Sequence, residues 1–340
     1  MGGVREITYD PSFMEPQIGI GGVLIPRLIL GHLPFLGESY QGLTKNQEYR
    51  EKFSKMENIV SLLQKAVTNY GVTAVACTPA VEGRLSATLR DALRRTIRFT
   101  SVEIGLIPCF MIPLRIGNKP VDVYRRWVTY YAYQSKLVND SLLKKYINDP
   151  ILRCRAGWKT KFQNAVTQLQ PYSKEEIDLL RIDFNVLNDE LRSLDSFKIL
   201  LAEPGSENDF LALTGRLDLL ETFANVLRDR LQCPVLLASH HAGSSISILE
   251  TSQILFDGYL TPVNKLGVMM FPTQKMAIHA IKQTTKPVVA IKPLAGGRIP
   301  PKEAFDYIFK NQQVEACMVG IGSEAELDKD FRAAYNALHS

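Results

Sequence analysis

The stretch PVVAIKPLAGGRIPPKEAF occupies residues 287–305. Four apolar residues, three of them β-branched, end on the single cation Lys292; Pro293, the pair Gly296 and Gly297, and Arg298 follow, and Pro300 and Pro301 open a helical pattern. A short run that is apolar throughout, closed by turn residues and leading into a helix, is the strand, loop and helix unit of a parallel sheet covered on both faces. The unit recurs. FKILLAE (197–203), PVLLAS (234–239), DGYLTP (257–262) and EACMVG (315–320) read the same way. Helical patterns are predicted between and after these runs at about 215–231, 245–254, 273–284, 301–311 and 323–338. Thr273 and Pro301 are good first-turn residues, and Ser323 with Glu326 fits a capping box.

The first third of the chain keeps this rhythm more loosely. RLILG (27–31) reads as a strand, 52–69 as a helix, VTAVAC (72–77) as a strand, 84–96 as a helix, and VEIGLIPCFMIPL (102–114) as a third strand. Three strands and five make eight, which predicts an α/β chain with the (β/α)8 TIM barrel rather than a doubly wound open sheet. Residues 117–196 exceed what one barrel helix needs. They are expected to form a helical insertion after strand 3, serving as a lid or an oligomer contact, between a first barrel part (1–116) and a second (197–340). Within it, 173–194 carries Ile177, Leu180, Phe184, Leu187, Leu191 and Leu194 at helical spacing and is predicted to be one amphipathic helix. The aromatic and basic stretch YRRWVTYYAY (124–133) fits a packed helix face better than a nucleic-acid surface.

At 46% hydrophobic and 22% charged residues the composition is that of a globular chain, and 40 basic against 35 acidic residues, without a block of like charge, argues against a nucleic-acid partner. Five cysteines without a CxxC pair point to reduced thiols rather than a disulfide framework or zinc site. No apolar run reaches the ~18 residues of a membrane span, and MGGVREITYDPSFMEPQ lacks the core of a signal peptide. A cytoplasmic protein with a small-molecule ligand and no membrane partner is expected. A myristoylation reading of the N-terminal glycines fails because position six is Glu6.

In such a barrel the site forms at the C-terminal ends of the strands. The polar residues there are His32, Cys77, Glu82, Glu203, Ser239, His240, His241, Asn264 and Lys292. Glu82 or Glu203, its pKa raised by burial, suits a general acid–base. His240 and His241 are neighbours on a strand and face opposite ways, so at most one enters the site. Lys292 can be read as a catalytic amine, as a fixed cation beside Glu203 or a substrate anion, or as a solvent-facing strand end; the second is preferred. Gly296, Gly297 and Arg298 after the seventh strand, with Gly320, Gly322 and Ser323 after the eighth, are candidates for an anion cradle of backbone N–H groups. A metal site from His32, Glu203 and one further histidine has no supporting motif.

Taken together, IPRLILGHLPFLG, VTAVACTPAVEGRLSATLRDALR, PVLLASHHAG, FDGYLTPVNKLG, KPLAGGRIPPKEAF and VEACMVGIGSEAEL resemble the aldo-keto reductases, NADPH-dependent (β/α)8 barrels, over about residues 24–100 and 197–338. The resemblance implies NADP(H) at the loops after strands seven and eight, with Ser239 and Asn264 joining the cofactor-binding set. The family's catalytic residues do not carry over. Its Asp-Thr-Ala-x-x-Tyr-Gly pattern meets Cys77-Thr78-Pro79-Ala80-Val81-Glu82-Gly83 here, CFMIPL offers no match to its strand-three lysine, and its strand-four histidine falls on Ala202 or Glu203. The expected site is therefore a rebuilt one with Glu82, Glu203, His240 and Lys292 as its catalytic candidates. The expected function is that of a divergent oxidoreductase-like enzyme taking a small anionic or phosphorylated molecule or NAD(P)(H). The alternatives are a non-redox lyase, isomerase or hydrolase, and a non-catalytic binding or assembly protein, with a homo-oligomer formed through the insertion.

Overall fold

The structure is a computed structural model and describes residues 16–81, 83–138, 141–312 and 314–339. Glu82 and the N-terminal segment read above for a leader or lipid signal lie outside the described residues. Eight parallel strands form the barrel: β1 Leu28–Gly31, β2 Ala74–Cys77, β3 Gly105–Phe110, β4 Glu203–Pro204, β5 Leu236–Ala238, β6 Gly258–Pro262, β7 Val288–Ile291 and β8 Ala316–Gly320. Their hydrogen-bonded order is β5-β6-β7-β8-β1-β2-β3-β4. The seam between β4 and β5 closes through one bridge, Ala202 to Val235, in which Ala202 N–H donates to the Pro234 carbonyl and Leu236 N–H to that of Ala202, each at 2.9 Å. The predicted eight βα units are thus present, as a (β/α)8 barrel.

Alternation along the strands divides the apolar residues into two layers. Ile29, Ala74, Ala76, Ile107, Leu201, Leu260 and Val289 fill the barrel interior, while the alternate residues pack outward against the helices. An antiparallel hairpin, Gln17–Ile20 with Val23–Pro26, precedes β1 and adds Ile20 and Ile25, both buried, to the interior layer. It closes the N-terminal end of the barrel, opposite the site.

The sequence expectation differs from the structure in three places. FKILLAE gives only the two-residue β4 and a lone bridge from Ile199 to Leu106, because Leu200 turns into the space beside Gly105, where a Cβ would lie 2.3 Å from the Leu200 Cγ. The 52–69 helix is two, Leu43–Phe53 and Met56–Tyr70. The segment between β3 and β4 is also not simply helical. Besides the helices Val123–Gln134, Ser141–Asn148 and Trp158–Gln168 it holds an antiparallel sheet of Leu114–Ile116, Lys119–Pro120 and Leu180–Ile182. The helix expected over 173–194 is accordingly broken into Lys174–Asp178, the strand Leu180–Ile182 and Phe184–Arg192. Leu180 and Ile182 are buried with Arg181 exposed between them, a period of two, and they pair with Ile116 and Leu114. Asp183 then caps a new helix by accepting from Asn185 N–H, and Phe184 is left 39% exposed.

Candidate active site at the barrel mouth

A cavity of ≈ 690 Å³ opens at the C-terminal ends of the strands, within the size range of small-molecule sites. Strand alternation explains most of what faces it. Ile107 points inward on β3, so Cys109 does too; Leu201 points inward ahead of β4, so Glu203 does; Leu236 and Ala238 point inward on β5, so His240 follows and His241 does not. Lys292 breaks the rule. Val289 is inward on β7, which would send Lys292 outward, yet it lines the cavity because its backbone is left-handed, φ 57°. A lysine in that region carries roughly 1–2 kcal/mol of strain. Its Nζ lies 5.1 Å from the centre of the Tyr40 ring, a cation–π contact.

The floor of the cavity is a buried cluster. The Glu203 side chain is 6% exposed and hydrogen-bonded to the Cys109 thiol. Burial raises its pKa to about 7, against the opposing pull of that bond and of Lys292. Burial pushes the Cys109 thiol well up, and Glu203 adds to the rise. His32 is lowered to about 4 by burial and then by Lys292, and His240 is lowered well below the usual imidazole range by burial and then by Lys292, His241, Arg155 and Arg126. Both imidazoles are therefore neutral at pH 7, and His32 Nδ1 and His240 Nε2 are buried without a partner among the described residues. Arg126, from the helix Val123–Gln134, forms an ion pair with the buried Glu207. Arg155 and Lys292 line the same cavity and are in no ion pair among the described residues.

Several residues named from the sequence are placed differently. Ser239 donates to Asp209 at 2.6 Å and sits outside the cavity, where Asp209 also accepts from Ser245 and from the N–H groups of His240 and His241. Asn264 is buried in its own loop, donating to the Val268 carbonyl and accepting from Val268 N–H. His241 packs 4.0 Å from the centre of Tyr130 and 5.1 Å from that of Phe271. Gly296, Gly297 and Arg298 do line the cavity, and both glycines have positive φ. Arg298, however, turns its guanidinium onto the carbonyls of Tyr40, Ala295 and Gly296. Gly320 lines the cavity, but the expected cradle beyond it is filled by the protein's own carboxylate: Glu326 accepts from Gly322 N–H at 2.7 Å and from the Tyr49 hydroxyl, and Ser323 caps Glu326 N–H. Gly322 and Ser323 are not among the cavity-lining residues. With Glu326 and Asp330 facing the cavity beside it, the Gly322 and Ser323 half of the expected cradle is engaged and its local charge is negative, whereas Gly296 and Gly297 remain on the cavity wall. Among the described residues no group of three or more His, Cys, Asp or Glu side chains could hold a metal ion.

No family model matches the chain, and no curated protein matches it. Solved structures do. A candidate aldo-keto reductase from Pseudomonas aeruginosa aligns over 96% of this chain and 96% of its own, at 15% identity and a TM-score of 0.55. A second structure described in the same way, from the same organism, aligns over 97% and 99%, at 15% identity and a TM-score of 0.56. The fold is that of the aldo-keto reductases. No helix among the described residues is long and apolar enough to cross a membrane.

The sequence reading missed Tyr40, Cys109, Arg126, Arg155, Glu207 and Asp330, all of which line the cavity. Cys109 was accessible through its period-two relation to Ile107; the others come from loops and helices whose approach to the mouth has no local sequence signal.

Proposed function

We propose that this chain is an enzyme of small anionic molecules whose proton-transfer group is Glu203. The observation that carries the reading is a carboxyl, held near neutrality by burial, at the floor of a large cavity and beside a lysine ammonium. A general acid–base works best when its pKa lies near the working pH. Protonated Glu203 can give its proton to a carbonyl oxygen or leaving group, and ionised Glu203 can remove one from a hydroxyl or from a carbon next to a carbonyl. Lys292 offsets the negative charge that develops on the reacting oxygen. Neutral His32 and His240 offer it hydrogen bonds, and Arg155 receives the substrate's own anionic group. The non-redox reading of this chemistry is preferred because two of the donors expected to meet the phosphates of a nicotinamide nucleotide, the Arg298 guanidinium and Gly322 N–H, are held by the protein's own groups.

The test is proton exchange in D2O, followed by NMR, with pyruvate, oxaloacetate and related small keto acids. Exchange that wild type catalyses with a pH midpoint near 7 and that Glu203→Gln abolishes supports the reading; exchange retained in Glu203→Gln sinks it. The redox alternative predicts stabilisation by NADPH in a thermal-shift experiment and NADPH oxidation with a carbonyl panel.

A further inference from the structure

Charge is distributed unevenly around the mouth. Lys292, Arg155 and Arg126 all act on His240 at the end of β5, and Lys292 also reaches Tyr40 and His32 beside β1. On the far side, the helix Glu324–His339 follows β8 and presents Glu326 and Asp330 to the same cavity. In the order β5-β6-β7-β8-β1-β2-β3-β4, β8 stands four places from β4 in either direction round the ring, directly across the mouth. The cavity is therefore lined by both cations and carboxylates.

Neither Glu326 nor Asp330 is in an ion pair among the described residues. Glu326 is held by Gly322 N–H and Tyr49, neither of them charged. Asp330 is 5% exposed and makes no hydrogen bond or ion pair among the described residues, although buried polar groups are nearly always partnered. Two nearby cations are otherwise directed, Lys52 donating to the Gly322 carbonyl at 2.8 Å and Arg50 facing Glu38 at 3.6 Å, while the exposed Lys329 lines the cavity without forming an ion pair among the described residues. Burial, and then repulsion from Glu326, raises the Asp330 carboxyl to about 7, with Lys329 the one opposing charge.

Resting on the small-anion reading above, we infer that the ligand of this cavity is a zwitterion, with a primary ammonium between Glu326 and Asp330 and a carboxylate at Lys292 and Arg155. An ammonium carries three donors and one charge, which supplies Asp330 with the hydrogen bond it lacks and relieves its repulsion from Glu326. A carboxylate alone would leave Asp330 without a hydrogen bond, and an amine alone would leave Lys292 and Arg155 without an ion pair.

Calorimetric titration of the full chain with the series 4-aminobutanoate to 8-aminooctanoate, each beside its matched carboxylic acid and alkylamine, tests this. One chain length should bind about tenfold more tightly than both of its matched analogues, the size of one charge-assisted hydrogen bond. Asp330→Asn, nearly isosteric, should abolish that preference without weakening the binding of the carboxylic acid. In wild type the amino acid should release more protons near pH 7 than the acid does, as Asp330 ionises, a readout that needs no variant. The inference is overturned if no chain length beats its carboxylic acid, if nothing in the series binds, or if Asp330→Asn keeps the preference. The function reading is judged separately: a carboxylic acid that binds wild type but not Lys292→Met upholds the anion site even where the ammonium contributes nothing.

Discussion

Arg298 Nη1 donates a 2.9 Å hydrogen bond to the main-chain carbonyl of Tyr40, joining the loop after β7 to the loop after β1 across the mouth of the barrel. The same guanidinium holds the Ala295 carbonyl at 2.8 Å and approaches that of Pro150, in the segment between β3 and β4. Three chain segments are therefore fixed by one planar group. Arg298→Ala should lower stability by about 1–2 kcal/mol and should weaken ligand binding as the Tyr40 ring drifts from Lys292. Arg298→Lys should fail to restore either, since an ammonium lacks the fork. Chemical denaturation and calorimetric titration measure the two effects.

Lys292 is strained and partly desolvated, so replacing it should help the fold and harm the site. Lys292→Gly, which accepts φ 57° freely, is expected to raise stability by about 1 kcal/mol while reducing affinity for small carboxylates more than tenfold. A variant less stable than wild type would show that the left-handed backbone carries no strain here.

Stability should decline as pH rises from about 6.5 to 8. Glu203, Glu190 and Asp330 each titrate near 7 in the folded chain, mainly through burial, so the folded state binds protons that the unfolded state has released, and its advantage is lost as pH passes 7. At lower pH the histidines act in the opposite sense: His32 and His241 are lowered to about 4 and about 3, and below 6.5 protons favour the unfolded chain. Glu190 isolates one contribution. It lies outside the cavity, 8% exposed, with Oε2 lacking a partner among the described residues. Glu190→Gln should stabilise the protein at pH 8 by about 2 kcal/mol, leave it little changed at pH 5, and flatten the decline in Tm.

Asp209 is fully buried and accepts from two hydroxyls and two main-chain N–H groups, fixing the turn that carries His240. Asp209→Ala leaves those donors unsatisfied and should cost about 3 kcal/mol or more in urea unfolding. Asp209→Ala as stable as wild type would mean that water replaces the carboxylate without loss.

The barrel was legible because each strand is a short apolar run bounded by turn residues, a pattern set by burial on both faces. Leu180 and Ile182 show where that reasoning stops: their spacing suits a helix with Ile177 and Leu187 as well as a strand, and pairing with Leu114 and Ile116, distant in sequence, decides between them. In the site, Glu203 and His240 follow from strand register. Lys292 enters through a backbone twist that alternation forbids. Asp330 belongs to a helix whose amphipathic pattern marks it only as buried. The Gly322 and Ser323 part of the expected anion cradle is taken for a similar reason, because Glu326, read as half of a capping box, reaches back to Gly322 and fills the place itself.

The position of β1 between β2 and β8 also bears on synthesis. A ribosome delivers β1 well before one of its two neighbours, which arrives only with residues 316–320. Until then the hairpin beneath β1 has an open barrel to seal, and the cavity lacks the wall that carries Asp330. Ligand-binding competence should consequently appear late and all at once, and chains arrested before β8 should expose the apolar edges of both β1 and β7 to chaperones.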